Sequence, residues 1–153
     1  MSFTLGRGTN ISHWLSQSDA RGDERRRRFT REDVARLAAL GLDHLRLPVD
    51  EEQLWDDQGA PHEEAWDLLQ QGLDWTLEAG LNAVVDLHIL RTHHFNEGPK
   101  PLFTEAAAAE AFADCWRKIS ERLGDRPRDR VAYELLNEAV ADDPADWSRV
   151  LHL

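Results

Sequence analysis

The chain has a single cysteine, Cys115, among 153 residues. A lone thiol excludes an internal disulfide framework and a zinc site built on cysteines. Positive charge is also short, with 18 Lys and Arg against 29 Asp and Glu and a formal net charge of −11. A duplex-binding domain runs the other way, so no nucleic-acid partner is expected. No apolar run approaches the ~18 residues of a membrane helix, so no membrane partner is expected either. Met1 to Thr4 shows no charged head leading into an apolar stretch. That predicts no signal peptide and a cytoplasmic location. What is present, 41% hydrophobic and 31% charged residues, is the composition of a globular protein. The length suits one domain, residues 1–153.

Two stretches repeat one theme. Leu37 to Leu47 and Trp75 to Leu87 each pass from a helical pattern through a glycine into a short apolar run. Gly41 and Gly80 suit the left-handed position that ends a helix, and they lie 39 residues apart. One helix, one strand and two short loops need about that much chain. Four strands are predicted, near residues 4–11, 44–49, 83–88 and 131–136. The last two are mostly apolar without strict alternation, as parallel strands covered on both faces are. Strand then helix, four times over, predicts an α/β fold with a parallel sheet and outer helices.

The helices carry their own signals. Thr30 suits an N-cap, with Asp33 as its reciprocal capping-box partner. Pro61 suits the first turn of a second helix, in which Leu69, Leu73 and Leu77 recur at one-turn spacing. Thr104 suits the cap of a third, striped by Phe112, Cys115, Trp116, Ile119 and Leu123. Residues 142–153 read as a loop and the start of a fourth. Arg25 to Arg28, flanked by acids, reads as a solvated loop. Trp66, Trp75, Trp116 and Trp147 read as packing anchors, and Trp55 as a possible sugar contact.

Polar residues gather where each strand should finish: Asn10, Ser12, His13 and Trp14; Arg46 and Asp50; Asp86 and His88; Asn137 and Glu138. Ligands of parallel α/β folds bind at the carboxyl ends of strands. Gly8 to Trp14, His44 to Asp50, Val85 to His88 and Glu134 to Glu138 resemble, in order and spacing, the strand-end motifs of glycoside hydrolase family 5. The resemblance implies a cellulase-like retaining β-glycosidase on a (β/α)8 barrel, of which this chain would be the first four units. It implies Glu138 as general acid/base and Asn137 as the residue bonding the sugar 2-hydroxyl. Arg46 would sit against the nucleophile, His88 would line the cleaving subsite, and His13 and Trp14 would lie near substrate. No cofactor is implied. The partner would be a β-linked oligo- or polysaccharide, a glucan first and mannan second.

A glycosidic oxygen leaves readily only when protonated, which a carboxylic acid of raised pKa can do. Regular alternation would put Asn137 and Glu138 on opposite faces, so both can face one pocket only if the strand bends or ends there. The family's nucleophile, a glutamate ending the seventh strand, has no match in this sequence. Asp50 and Asp86 are the only candidates to stand in, and neither matches its position. Arg46 should then lack a carboxylate partner, and the sheet's inner face, expected to be apolar, should lack an opposite wall. Open edges at the first and last strands predict a homo-oligomer or a missing C-terminal half, with the chain inactive alone. Two other readings stand beside this one. One is a metal-dependent barrel enzyme using His88, His93 and His94 with Asp86 or Glu97. The other is a non-catalytic half barrel that self-assembles.

Overall fold

The computed structural model describes residues 3–93 and 100–153. Four strands, β1 (Gly8–Asn10), β2 (His44–Asp50), β3 (Asn82–Ile89) and β4 (Val131–Glu134), pair in parallel in the order β1-β2-β3-β4. Helices α1 (Gly22–Arg28) and α2 (Arg31–Ala39) follow β1. Helices α3 (Glu51–Leu54) and α4 (Glu63–Glu78) follow β2, and α5 (Pro101–Thr104) and α6 (Ala106–Leu123) follow β3. Helix α7 (Pro144–Val150) follows β4. Sequence-adjacent strands are neighbours throughout, as the four-unit reading requires.

The helix signals held in part. Thr30 and Asp33 form the reciprocal capping box of α2. Gly41 and Gly80 adopt φ of 81° and 82°, the left-handed exits expected of them. Pro61, however, precedes α4, whose N-cap is His62. Thr104 ends α5, and Glu105 takes the N-cap of α6 without a side-chain bond. Strand β1 is shorter than predicted, because Gly6 and Arg7 spend their amides on the Asp43 carboxylate rather than on a ladder. The arginine run is helical, not a loop. Arg25 is buried within it, donating to the Ala20 carbonyl at 2.8 Å and to Gln53 Oε1 at 2.5 Å.

The sheet has two unlike faces. Leu45, Leu47, Val49, Ala83, Val85 and Leu87 are buried in one core cluster with Trp66, Leu69 and Leu73 of α4 and Ile119 and Leu123 of α6. The other face, on the alternate positions, carries Asn10, Arg46, Asp86, His88 and Glu134. It is therefore polar, not the apolar wall predicted, and the drive to cover it is weaker than an apolar face would give. Pro48 sits inside β2 without cost. Its missing N–H falls on the β1 side, between the last β1 pair at Asn10↔Arg46 and the bridge Leu15↔Val49.

Candidate active site

Arg46 gathers the polar face. Its Nε and Nη2 donate in parallel to the two oxygens of Glu134, each at 2.8 Å. Nη2 also lies 2.7 Å from Asp86 Oδ2 and 3.0 Å from Asn137 Oδ1, and Nη1 donates to Asn10 Oδ1 at 2.9 Å. One guanidinium thus ties β1, β2, β3 and β4 together. The two-pronged bond to a carboxylate is the strong form of this contact. Glu134 pushes the Arg46 pKa further up. The expectation that Arg46 would lack a carboxylate is overturned, since it has two.

His88 reaches the same cluster through Asp86, its Nδ1 lying 2.7 Å from Asp86 Oδ2. Asp86 has no solvent exposure, and burial pushes its carboxyl pKa up, while His88 and Arg46 pull the other way. Asn137 joins from beyond β4, its backbone N–H donating to Leu87 O at 3.2 Å. Strand β4 has ended at Glu134, so alternation no longer governs the residues after it. The next residue, Glu138, is exposed at the rim with φ of 42°.

Backbone strain collects at this rim. Among the described residues the non-glycine residues with positive φ are His13, Gln17, Glu138 and Val140. All four lie in the loops after β1 and β4, at the carboxyl end of the sheet. Such conformations cost on the order of 1–3 kcal/mol each and persist where the surroundings impose them. Asp50 is one such imposition. It is buried at the end of β2, its Oδ2 accepts the Gln17 N–H at 2.6 Å, and burial raises its pKa. The Gln17 carbonyl in turn lies 3.0 Å from His13 Nδ1.

Of the predicted site residues, Arg46 and Asn137 are in direct contact, His88 joins them through Asp86, and Glu138 is next to Asn137 in the chain. His13 is exposed at the same rim. Trp14 is not available to a sugar. It is 1% exposed and packs edge-on against Phe29 at 4.9 Å. A Cβ on Gly72 would come within 2.8 Å of its ring, so α4 needs glycine there. Trp55 is also buried, against Trp66. Asp50 and Asp86 are too deep to attack a substrate. Sequence reasoning missed Glu134 and Asn10 as partners of Arg46. The available signal was an acid inside an apolar strand, which needs a partner.

For the metal reading, His94 and Glu97 lie outside the described residues. Among the described residues no group of three or more His, Cys, Asp or Glu could hold a metal ion. His93 is buried against Phe103, ring centroids 5.7 Å apart. No described helix is long and apolar enough to cross a membrane.

A parallel sheet backed by helices, with its polar cluster at the strands' carboxyl ends, is the layout of an α/β-barrel enzyme site. Comparison with known proteins gives the family. The family described as "Cellulase (glycosyl hydrolase family 5)" matches residues 8–153, and the chain belongs to it. Endoglucanase C of Acetivibrio thermocellus is 30% identical over 148 residues, covering 94% of this chain and 43% of that protein. Cellodextrinase A of Ruminococcus flavefaciens is 31% identical over 149 residues, covering 94% and 44%. The chain thus spans under half the length of these relatives. Among solved structures, endoglucanase Cel5A of Thermotoga maritima superposes with a TM-score of 0.74 at 23% identity, covering 97% of this chain and 45% of its own. A further glycoside hydrolase reaches 0.80 at 15% identity, covering 97% and 47%. The fold is that of the first four β/α units of a (β/α)8 barrel.

Proposed function

We propose that this chain is the acid/base-bearing half of a retaining β-glycosidase acting on β-linked glucans. The observation that carries the reading is the convergence of Arg46, Asn137 and, through Asp86, His88 at one rim of a parallel sheet, with Glu138 adjoining. Glu138 protonates the departing glycosidic oxygen, then takes a proton from the water that releases the sugar. Its exposed position leaves it open to both substrate and water. Asn137 bonds the sugar 2-hydroxyl, Arg46 orients the nucleophile, and His88 and His13 border the sugar. A retaining enzyme needs its second carboxylate about 5–5.5 Å from the first. Asp50 and Asp86 are buried and engaged, so neither supplies it. It comes from outside these four units, in a C-terminal half or a second copy, either of which would also cover the outer edges of β1 and β4.

Hydrolysis of an aryl β-cellobioside tests this. The 153 residues alone give no turnover. In the polypeptide that completes the barrel, hydrolysis proceeds with retention, and Glu138→Gln lowers it about a hundred- to ten-thousandfold. Turnover by the chain alone that Glu138→Gln abolishes would show a complete site and overturn the half-site reading. Full activity of Glu138→Gln in the complete barrel would remove Glu138 from the chemistry. Light scattering that finds a stable monomer would exclude the second copy.

A further inference from the structure

The least expected charge in the molecule is Asp86. It lies in the middle of β3, flanked by Val85 and Leu87, with Pro48 and Glu134 as its register partners on the adjacent strands. It has no solvent exposure, and among the described residues its Oδ1 has no hydrogen-bond partner. A buried carboxylate with one oxygen unmet works against stability. Folding does not require it, because Val84, two residues earlier, shows that the same face of β3 accepts an apolar side chain. Nor does Arg46 need it for charge balance, since Glu134 already binds that guanidinium with both oxygens. With Asp86 the cluster holds two carboxylates to one guanidinium.

What Asp86 adds is made by its other oxygen. Oδ2 lies 2.7 Å from Arg46 Nη2 and 2.7 Å from His88 Nδ1. Arg46 is a permanent donor, and a permanent cation at that distance disfavours a proton on the same oxygen. Oδ2 therefore stays an unprotonated acceptor, paired by charge with the guanidinium, and Nδ1 of His88 carries the proton it accepts. The imidazole is held in one tautomer and one ring orientation, keyed to the guanidinium from β2. Two side chains on separate strands are set against each other by one atom.

We infer that Asp86 is a positioning residue, whose Oδ2 fixes the tautomer and orientation of His88 relative to Arg46. The inference rests on the glycosidase reading only in naming what the pair is positioned for. An oriented imidazole beside an oriented guanidinium presents a fixed donor and acceptor pattern to a sugar, with no reordering when the sugar binds.

Nitrogen-15 spectra of the His88 ring test it, with Asp86→Val and Asp86→Asn as the variants. The wild type shows the proton on Nδ1. Asp86→Asn retains an acceptor oxygen and keeps that tautomer, but its Nδ1 proton exchanges about tenfold faster as the bond loses charge assistance. Asp86→Val removes the acceptor and shifts His88 to the Nε2–H form. Its thermal unfolding midpoint is equal to or above that of the wild type, because a desolvated charge has gone. A folded Val variant that keeps the proton on Nδ1 would overturn the assignment. If that variant does not fold, unchanged Nδ1 exchange in Asp86→Asn overturns it and the acceleration supports it. No sugar enters the measurement, so a failure of the glycosidase reading, seen in turnover, is distinguishable from a failure here.

Discussion

The two faces of the sheet are built on different physics. Toward the helices, Leu45, Leu47, Val49, Ala83, Val85 and Leu87 have no solvent exposure and no polar atoms in their side chains. Their contribution is roughly additive in buried area and indifferent to direction. On the opposite face Arg46, Glu134 and Asn137 are joined by directed bonds of 2.8–3.0 Å, and Asp86 pairs with the same guanidinium at 2.7 Å. Moving one of those groups by an ångström breaks several contacts together. The first face holds the strands in register, and the second uses that register to place chemistry. The price of the second face is a buried charge and strained loops at its rim.

Substitutions can break this contrast, and they fall in order of size. Leu47→Ala, on the helix face, should cost about 2–5 kcal/mol in urea unfolding through lost transfer energy and a cavity. A loss well under 1 kcal/mol would mean that the face is not close-packed. Arg46→Met, on the polar face, should cost about 2–3 kcal/mol near neutral pH, less than for a fully buried pair because the guanidinium keeps some solvent. It leaves Asp86 buried beside Glu134 without its cation. Burial already holds the Asp86 pKa above its ordinary value, so the folded chain binds that proton more tightly than the unfolded chain. Folded stability is therefore lost as pH rises through the Asp86 value and regained as pH falls. The Arg46→Met deficit should shrink on acidification, seen in melting temperatures between roughly pH 7 and 4. A pH-independent deficit would assign the loss to packing.

Smaller effects sharpen the contrast. Glu138→Gln should leave stability within about 0.5 kcal/mol of the wild type, because the side chain is exposed. Cys115 lies on the core side of α6, and burial pushes its thiol up to about 12. It should resist a thiol reagent in the folded protein and react once denaturant is added. Asp43, exposed at the amino end of the sheet, accepts from His44 and from the amides of Arg7 and Gly6, which hold its carboxyl at about 2. Its stabilising effect is present above the ordinary value of 3.8 and fades as pH falls toward about 2. A carboxyl-carbon titration should show that midpoint.

Much of the fold was legible because it rests on local rules. Thr30 with Asp33, and Gly41 and Gly80, announced their helix ends through chemistry confined to a few neighbouring residues. The errors came where two local rules competed. Pro61 and Thr104 are each acceptable at a helix start, but His62 and Glu105 take the caps. The arginine run looked solvated because charge is normally outside. Arg25 is inside because Ala20 and Gln53 happen to be there to receive it. The resemblance put Trp14 near substrate, but its ring is buried in the core, in the gap left by Gly72.

The amino-acid sequence determined by itself that strands and helices alternate and that polar groups collect at the strand ends. Periodicity and capping involve residues close along the chain, so a linear reading recovers them. Only the tertiary structure decided that Arg46 is matched by Glu134 and Asn137, 88 and 91 residues away, and by Asp86 on the strand between. Partners so distant meet only when parallel strands settle into one register, and no local rule fixes that meeting.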